Sequence, residues 1–164
     1  MTARRAGIAL AIVHVFLVGT LGLKLLADRA RLPRAWARTV PFDPDLPIRG
    51  RYVRLRLEVP LDPADSVRAG DYRRAHLRTE GDRLRAELDD GGPVGARIDS
   101  APGGFVAGLD QPIAFFIPEH IPDPSIRPTG EELWAEVTVP RRGPPRPIRL
   151  GVRRDGTLTP LEIR

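Results

Sequence analysis

Apolar residues along this chain follow two different periods. From Gly7 to Leu26 they run almost without interruption. At about 1.5 Å per residue the run reaches about 30 Å, the length of one transmembrane helix. His14 near its middle reads as a neutral imidazole tolerated in a single span, the alternative being a group that lines a helix contact. Lys24 is close enough to the end to snorkel. The run is longer than the usual ~7–15-residue core of a cleaved signal, and Leu25-Leu26-Ala27 puts a large residue where such a site needs a small one. An uncleaved anchor is expected.

From Arg51 the period becomes two. Val53, Leu55, Leu57 and Val59 fall on one face, with Tyr52, Arg54, Arg56 and Glu58 on the other, which predicts a half-buried strand. Before it, Pro41, Pro44 and Pro47 stiffen an extended approach, Asp43 and Asp45 favour turns, and Gly50 permits an unusual backbone angle. Leu61 to Gly70 reads as a loop. Tyr72 to Leu88 has helix-favouring Arg, Ala, Leu and Glu but is interrupted by Gly81. A turn over Asp89–Val94 and a short strand over Gly95–Ile98 follow, and Gly103 and Gly104 punctuate the chain before Phe105. Ile113, Phe115 and Ile117 form an apolar face that Pro118 ends, and residues 121–130 read as an exposed proline-rich loop. Leu133, Ala135, Val137 and Val139 alternate with Trp134, Glu136 and Thr138, which predicts a clear strand. After Pro144-Pro145, Ile148, Leu150 and Val152 lead into Asp155-Gly156, a favoured hairpin turn, and Thr157 to Ile163 return.

These elements predict a mainly β domain, an antiparallel β-sandwich or open barrel, tethered by one N-terminal transmembrane helix. Residues 1–27 are the anchor, 28–40 a basic juxtamembrane linker and 41–164 the β domain. The linker holds Pro33 and four arginines and suits a short helix, with Trp36 either at the membrane interface or packed on the domain.

The stretch Gly50-Arg51-Tyr52-Val53-Arg54-Leu55-Arg56-Leu57 resembles the signature of the GDYXXLXY family, uncharacterised bacterial proteins with an N-terminal membrane segment. The family's proline-rich approach is matched at Pro41, Asp43, Pro44, Pro47, Arg49 and Gly50. Two signature letters differ, since Arg51 stands where Asp is expected and Leu57 where the second Tyr is expected. Gly70-Asp71-Tyr72 repeats the opening letters without the proline approach, and Ala75 replaces the expected Leu. Phe115-Phe116-Ile117-Pro118-Glu119 is similar to a second family segment. There His120 replaces a Gly, a proline-rich insertion follows, and Gly130-Glu131-Glu132-Leu133 resumes the pattern. The resemblance implies strands over Tyr72–Thr79 and Arg83–Leu88, joined through Glu80-Gly81, and that assignment is adopted here.

Charge refines the picture. Residues 1–40 carry seven of the 26 basic groups and one of the 21 acidic ones, leaving 19 basic and 20 acidic residues for the β domain. A nucleic-acid binder concentrates positive charge on its folded domain, so nucleic acid is not the expected partner. The basic excess suits anionic headgroups beside a membrane span. Counted as short flanks, it places the domain in the cytoplasm. The resemblance implies the opposite, a single-pass protein of the bacterial inner membrane with its domain on the extracytoplasmic side, and this orientation is followed.

Candidate chemistry is sparse. The absence of cysteine excludes disulfides, thiol catalysis and cysteine-rich zinc sites. Ser66, Ser100 and Ser125 all fall in predicted loops, outside any nucleophile elbow, and the only domain histidines are His76 and His120. Glu119, His120 and Asp123 share a stiff loop without zinc-helix spacing. Asp89-Asp90-Gly91-Gly92 lacks the alternating ligands of a calcium loop and reads as a turn. Asp43 and Asp45 near Arg49 read as caps or an ion pair. No cofactor or metal is implied. Tyr52, Arg54, Arg56 and Glu119 remain as binding candidates, with Pro41, Asp43, Pro44, Arg49, Gly50, Leu55 and Pro118 as structural motif residues. Tyr52 either fills a second packed layer or contacts a ligand. Since Arg51 cannot perform a carboxylate's acid–base work, the signature is taken as structural. The expected role is a non-catalytic binding or accessory module for another membrane protein, the resemblance pointing to a multi-spanning one, with membrane lipid contacted through residues 7–26. The alternative is an envelope enzyme using Glu119 with Tyr52 or His120.

Overall fold

The computed structural model describes residues 3–42, 52–62, 66–141 and 143–162. The chain divides into two compact units, Met1–Leu32 and Pro33–Arg164.

The first unit is one helix, α1 (Ala3–Arg31), with Arg29 and Arg31 in its last turn, where cations complement the helix dipole. Its segment Arg5–Arg31 is long and apolar enough to cross a membrane. The large apolar side chains from Ile8 to Leu26 are exposed, a surface that water does not favour. The polar groups along it bond to their own helix: His14 Nδ1 donates to Leu10 O at 2.9 Å and Thr20 Oγ1 to Phe16 O at 2.9 Å. His14 thus has an acceptor within its own helix.

The second unit contains β1 (Arg34–Pro41), β2 (Tyr52–Pro60), β3 (Tyr72–Glu80), β4 (Arg83–Leu88) and β5 (Val94–Ala101). It continues with β6 (Gly104–Leu109), β7 (Ile113–Phe116), β8 (Glu131–Thr138), β9 (Arg146–Arg154) and β10 (Thr157–Pro160). The strands form one sheet in the order β10-β9-β8-β1-β4-β3-β5-β6-β2-β7. Because β1 pairs with β2 as well as β4, the strands β1, β4, β3, β5, β6 and β2 close into a six-stranded barrel. The neighbouring pairs are antiparallel except at the closure, where Trp36 meets Arg83 in parallel. A parallel bridge between Leu61 and Ala86 lies beside it.

β1 joins two parts of the domain. Arg38 faces Glu58 of β2 on one edge and Trp134 of β8 on the other. From β8 the sheet continues through β9 to β10, while β7 attaches to the first half of β2.

This corrects the expectation for residues 28–40. The helix runs on to Arg31, and after only Leu32 and Pro33 the chain is already in a central strand. Pro33 ends the helix because it disfavours the helical angles of the residue before it. The alternation of Ala35, Ala37 and Thr39 with Trp36 and Arg38 then makes a strand whose first three are buried. Trp36 packs on this domain. Its basic neighbours disguised a strand as a membrane flank.

The closed barrel resolves the choice between sandwich and barrel. Its interior alternates bulk with small residues: Leu55, Leu57, Leu84, Ile98 and Leu109 are fully buried beside Ala75, Ala86, Ala96 and Ala107. A six-stranded barrel is narrow, and such alternation fills its taper without voids. Val53, Ile113, Ile117, Leu133, Ala135, Val137 and Leu150 extend the same core.

Strands over 72–79 and 83–88, in which the family pattern overrode helix propensity, are present as β3 and β4. The expected short strand at Gly95–Ile98 is longer, and β6 was not anticipated because glycines flank its apolar residues. The Asp155-Gly156 turn forms as expected, with φ of 48° and 82° at its two residues.

Candidate functional site

Alternation along β2 sorts the signature residues. Leu55 is fully buried, and Val53, Leu57 and Val59 share its face. Tyr52, Arg54 and Arg56 share the other, the first two exposed and Arg56 half-buried. β7 pairs antiparallel with this half of β2, setting Tyr52 against Phe116 and Arg54 against Ala114. The period of two therefore puts Phe116 beside Tyr52 on the outer face. Their rings meet edge to face with centroids 5.5 Å apart. Yet Tyr52 remains 47% and Phe116 59% exposed, so the pair does not make a closed layer. Phe42, just beyond β1, lies under the Arg54 guanidinium at 5.1 Å from its ring centre. The face is thus three aromatic rings and two arginines on an open sheet surface.

The electrostatics of this face differ from its surroundings. Arg38 reaches Glu58 at 3.1 Å, Arg78 reaches Asp62 at 3.0 Å, Arg85 reaches Glu80 at 2.6 Å and Arg149 reaches Glu136 at 2.7 Å. Among the described residues no carboxylate pairs with Arg54 or Arg56. The Arg56 Nε is buried and has no hydrogen-bond acceptor. It borders the space above Gly108, which the Asp99 carboxylate also borders, but Asp99 is engaged by Arg97 at 3.5 Å.

The remaining expected residues are placed as follows. Pro41 closes β1, and Pro118 follows β7 and accepts the Ile121 N–H at 3.1 Å to close a turn. Glu119 and His120 are exposed in that turn. β2, opening at Tyr52, and β7, ending at Phe116, are neighbours, and the ring partner of Tyr52 is Phe116. Asp43, Pro44, Arg49 and Gly50 lie outside the described residues. Tyr72 of the second Gly-Asp-Tyr crosses Gly95 to donate to the Asp110 carboxylate, and that bond raises its pKa above the ordinary phenol value.

A second constellation was not expected from the sequence. On the outer face of β1, β8 and β9, Trp134 is stacked between Arg83 at 4.5 Å and Arg153 at 5.4 Å. Arg149 covers Trp36 at 5.5 Å. The Trp134 indole N–H donates to Glu132 at 3.1 Å. This layer buries Trp134, Glu136 and Thr138, the residues expected to face water. Its charges satisfy one another, so it reads as scaffold. The one usable signal in the sequence was two tryptophans on strands rich in arginine.

Among the described residues the candidate nucleophiles and bases do not form a catalytic set. His76 bonds Asp89 at 3.0 Å on an exposed turn, and Ser66 and Ser100 are exposed. Among the described residues no group of three metal-ligating side chains forms. An open depression of about 390 Å³ is lined by Asp62, Arg78, Thr79, Glu80 and Arg85, whose charges are paired with one another. Comparison with family models, curated proteins and solved structures found no match.

Proposed function

We propose that this chain is a GDYXXLXY-type, single-span protein of the bacterial inner membrane whose β domain lies on the extracytoplasmic side and binds another membrane protein. The observation that carries this reading is the β2–β7 face. It exposes Tyr52 and Phe116 together beside Arg54 and Arg56, while the arginines of the adjacent faces are already paired. Exposed aromatic and arginine side chains are the residue types that carry most binding energy in protein interfaces. Two neighbouring rings left open on a sheet face suit contact with a partner.

The test is photo-crosslinking in native membranes, with a photoreactive residue at position 116 of the full chain and a control at position 78. A discrete protein adduct from position 116, absent from position 78, is the expected result. Equal labelling from both positions, or none from 116, overturns the reading.

A further inference from the structure

The binding-module reading leaves open what the β2–β7 face recognises, and the spacing of its charges narrows the answer. Arg54 and Arg56 are two residues apart on one side of a strand, so their side chains start about 7 Å apart. An extended peptide presents its own alternate side chains with the same repeat. Tyr52 continues the row by another step, and its ring with Phe116 offers an apolar contact in place of a charge. Ala114, opposite Arg54, is exposed and small, leaving the Arg54 guanidinium room to turn toward a ligand.

We infer that this face takes an extended acidic segment of a partner protein, with two carboxylates two residues apart and an apolar side chain two residues further on. The carboxylates meet Arg56 and Arg54 in turn, and the apolar group rests on Tyr52 and Phe116. The occupant is a discrete acidic peptide rather than an anionic bilayer. The folded unit from Pro33 holds 21 basic and 20 acidic groups, so a broad negative surface gains little net attraction while a pair of carboxylates does.

This inference rests on the binding-module reading but is separable from it. The probe is a synthetic peptide, Gly-Glu-Ser-Glu-Ser-Leu-Gly, added to the full chain in nanodiscs of neutral lipid and followed by fluorescence anisotropy. Binding is expected, weakening as salt rises and falling about tenfold or more when both Glu are replaced by Gln. Moving the carboxylates three residues apart should also weaken it. Arg54→Ser should reduce affinity by about tenfold, and Arg54→Ser/Arg56→Ser further, while Arg78→Ser leaves it unchanged. Since Arg56 is half-buried, the melting curve of each variant is taken first, and Arg54→Ser alone carries the test if the double variant unfolds.

No binding, or equal binding of the Glu and Gln peptides, overturns the inference. So does association of the domain with anionic nanodiscs or with a second copy through Phe116, if the peptide does not compete for it. Should the peptide fail while crosslinking from position 116 still yields its specific adduct, the acidic specificity falls and the binding module stands.

Discussion

Gly151 lies directly beneath Trp36: a Cβ at position 151 comes within 2.9 Å of the indole Cζ3 and 3.1 Å of the Thr159 carbonyl oxygen. The first strand and the ninth thus fit together because one residue has no side chain. Gly151→Ala pushes on a ring that is held from above by Arg149 and on the Thr159 carbonyl of edge strand β10. A loss of about 1–3 kcal/mol is expected in denaturant unfolding, with a shifted tryptophan emission. Trp36→Leu in the same chain should recover part of the loss. An unaltered midpoint in Gly151→Ala contradicts the packing.

Leu55 and Arg54 are adjacent in sequence and opposite in fate, one fully buried and the other exposed. Leu55→Ala leaves a cavity where barrel and extension share a core, at about 2–5 kcal/mol. Arg54→Ala should stay within about 0.5 kcal/mol, since its described partner is a ring contact at the surface. Equal shifts in melting temperature contradict the alternation on β2.

Glu136 is 8% exposed and accepts a 2.7 Å bond from Arg149. Arg149→Leu removes that donor and the cover over Trp36, so a loss of about 1–3 kcal/mol is expected. Adding Glu136→Leu removes the stranded carboxylate and should restore part of the stability. Strict additivity in the double-mutant cycle means that the two side chains do not interact.

The Tyr72 phenol is held above its ordinary pKa chiefly by its hydrogen bond to Asp110. A pKa higher in the folded than in the unfolded chain gives a contribution that is complete below about pH 10 and disappears as pH rises through the folded value. Absorbance titration should therefore show a late phenolate component. Tyr72→Phe removes it, and Asp110→Asn moves it to lower pH. No movement in Asp110→Asn means that the bond does not set the shift.

Reporter fusions placed after Arg164 test orientation. A reporter active only outside the cytoplasm is expected to give signal, and one active only in the cytoplasm none. The reverse pattern places the domain in the cytoplasm, as the basic flank by itself suggests.

Where one face of a strand is buried and the other wet, the sequence was legible: β2 declares itself through Val53, Leu55, Leu57 and Val59, and the Asp155-Gly156 turn through its backbone requirement. Where both faces are covered, periodicity finds the strand, as at β8, but does not show that its second face is buried. Ala35, Trp36 and Ala37 are all buried, as is β8 from Leu133 to Thr138, because a second layer of tryptophan and arginine lies over the sheet. That layer depends on residues brought together from β1, β4, β8 and β9, and no local window contains it. The candidate face was half legible. Tyr52, Arg54 and Arg56 came from one strand and its signature, but Phe42 and Phe116 joined them only through the pairing of β2 with β7 and the turn of the chain after β1.

The placement of β1 also imposes an order in time. It is the first strand to be synthesised, yet Arg34 pairs with Thr138, about a hundred residues later. While the chain is being made, the outer edge of β1 and the Trp36 ring wait for β8 and β9 to arrive. The barrel strands from β2 to β6 are available earlier, so an incomplete product ending before Glu131 has all six barrel strands but one raw, aromatic side. Such a product is a substrate for proteolysis or aggregation rather than a smaller working domain. Stop codons placed between β7 and β8 should accordingly abolish steady-state accumulation, whereas one placed after Arg154, sparing β8 and β9, should be tolerated far better.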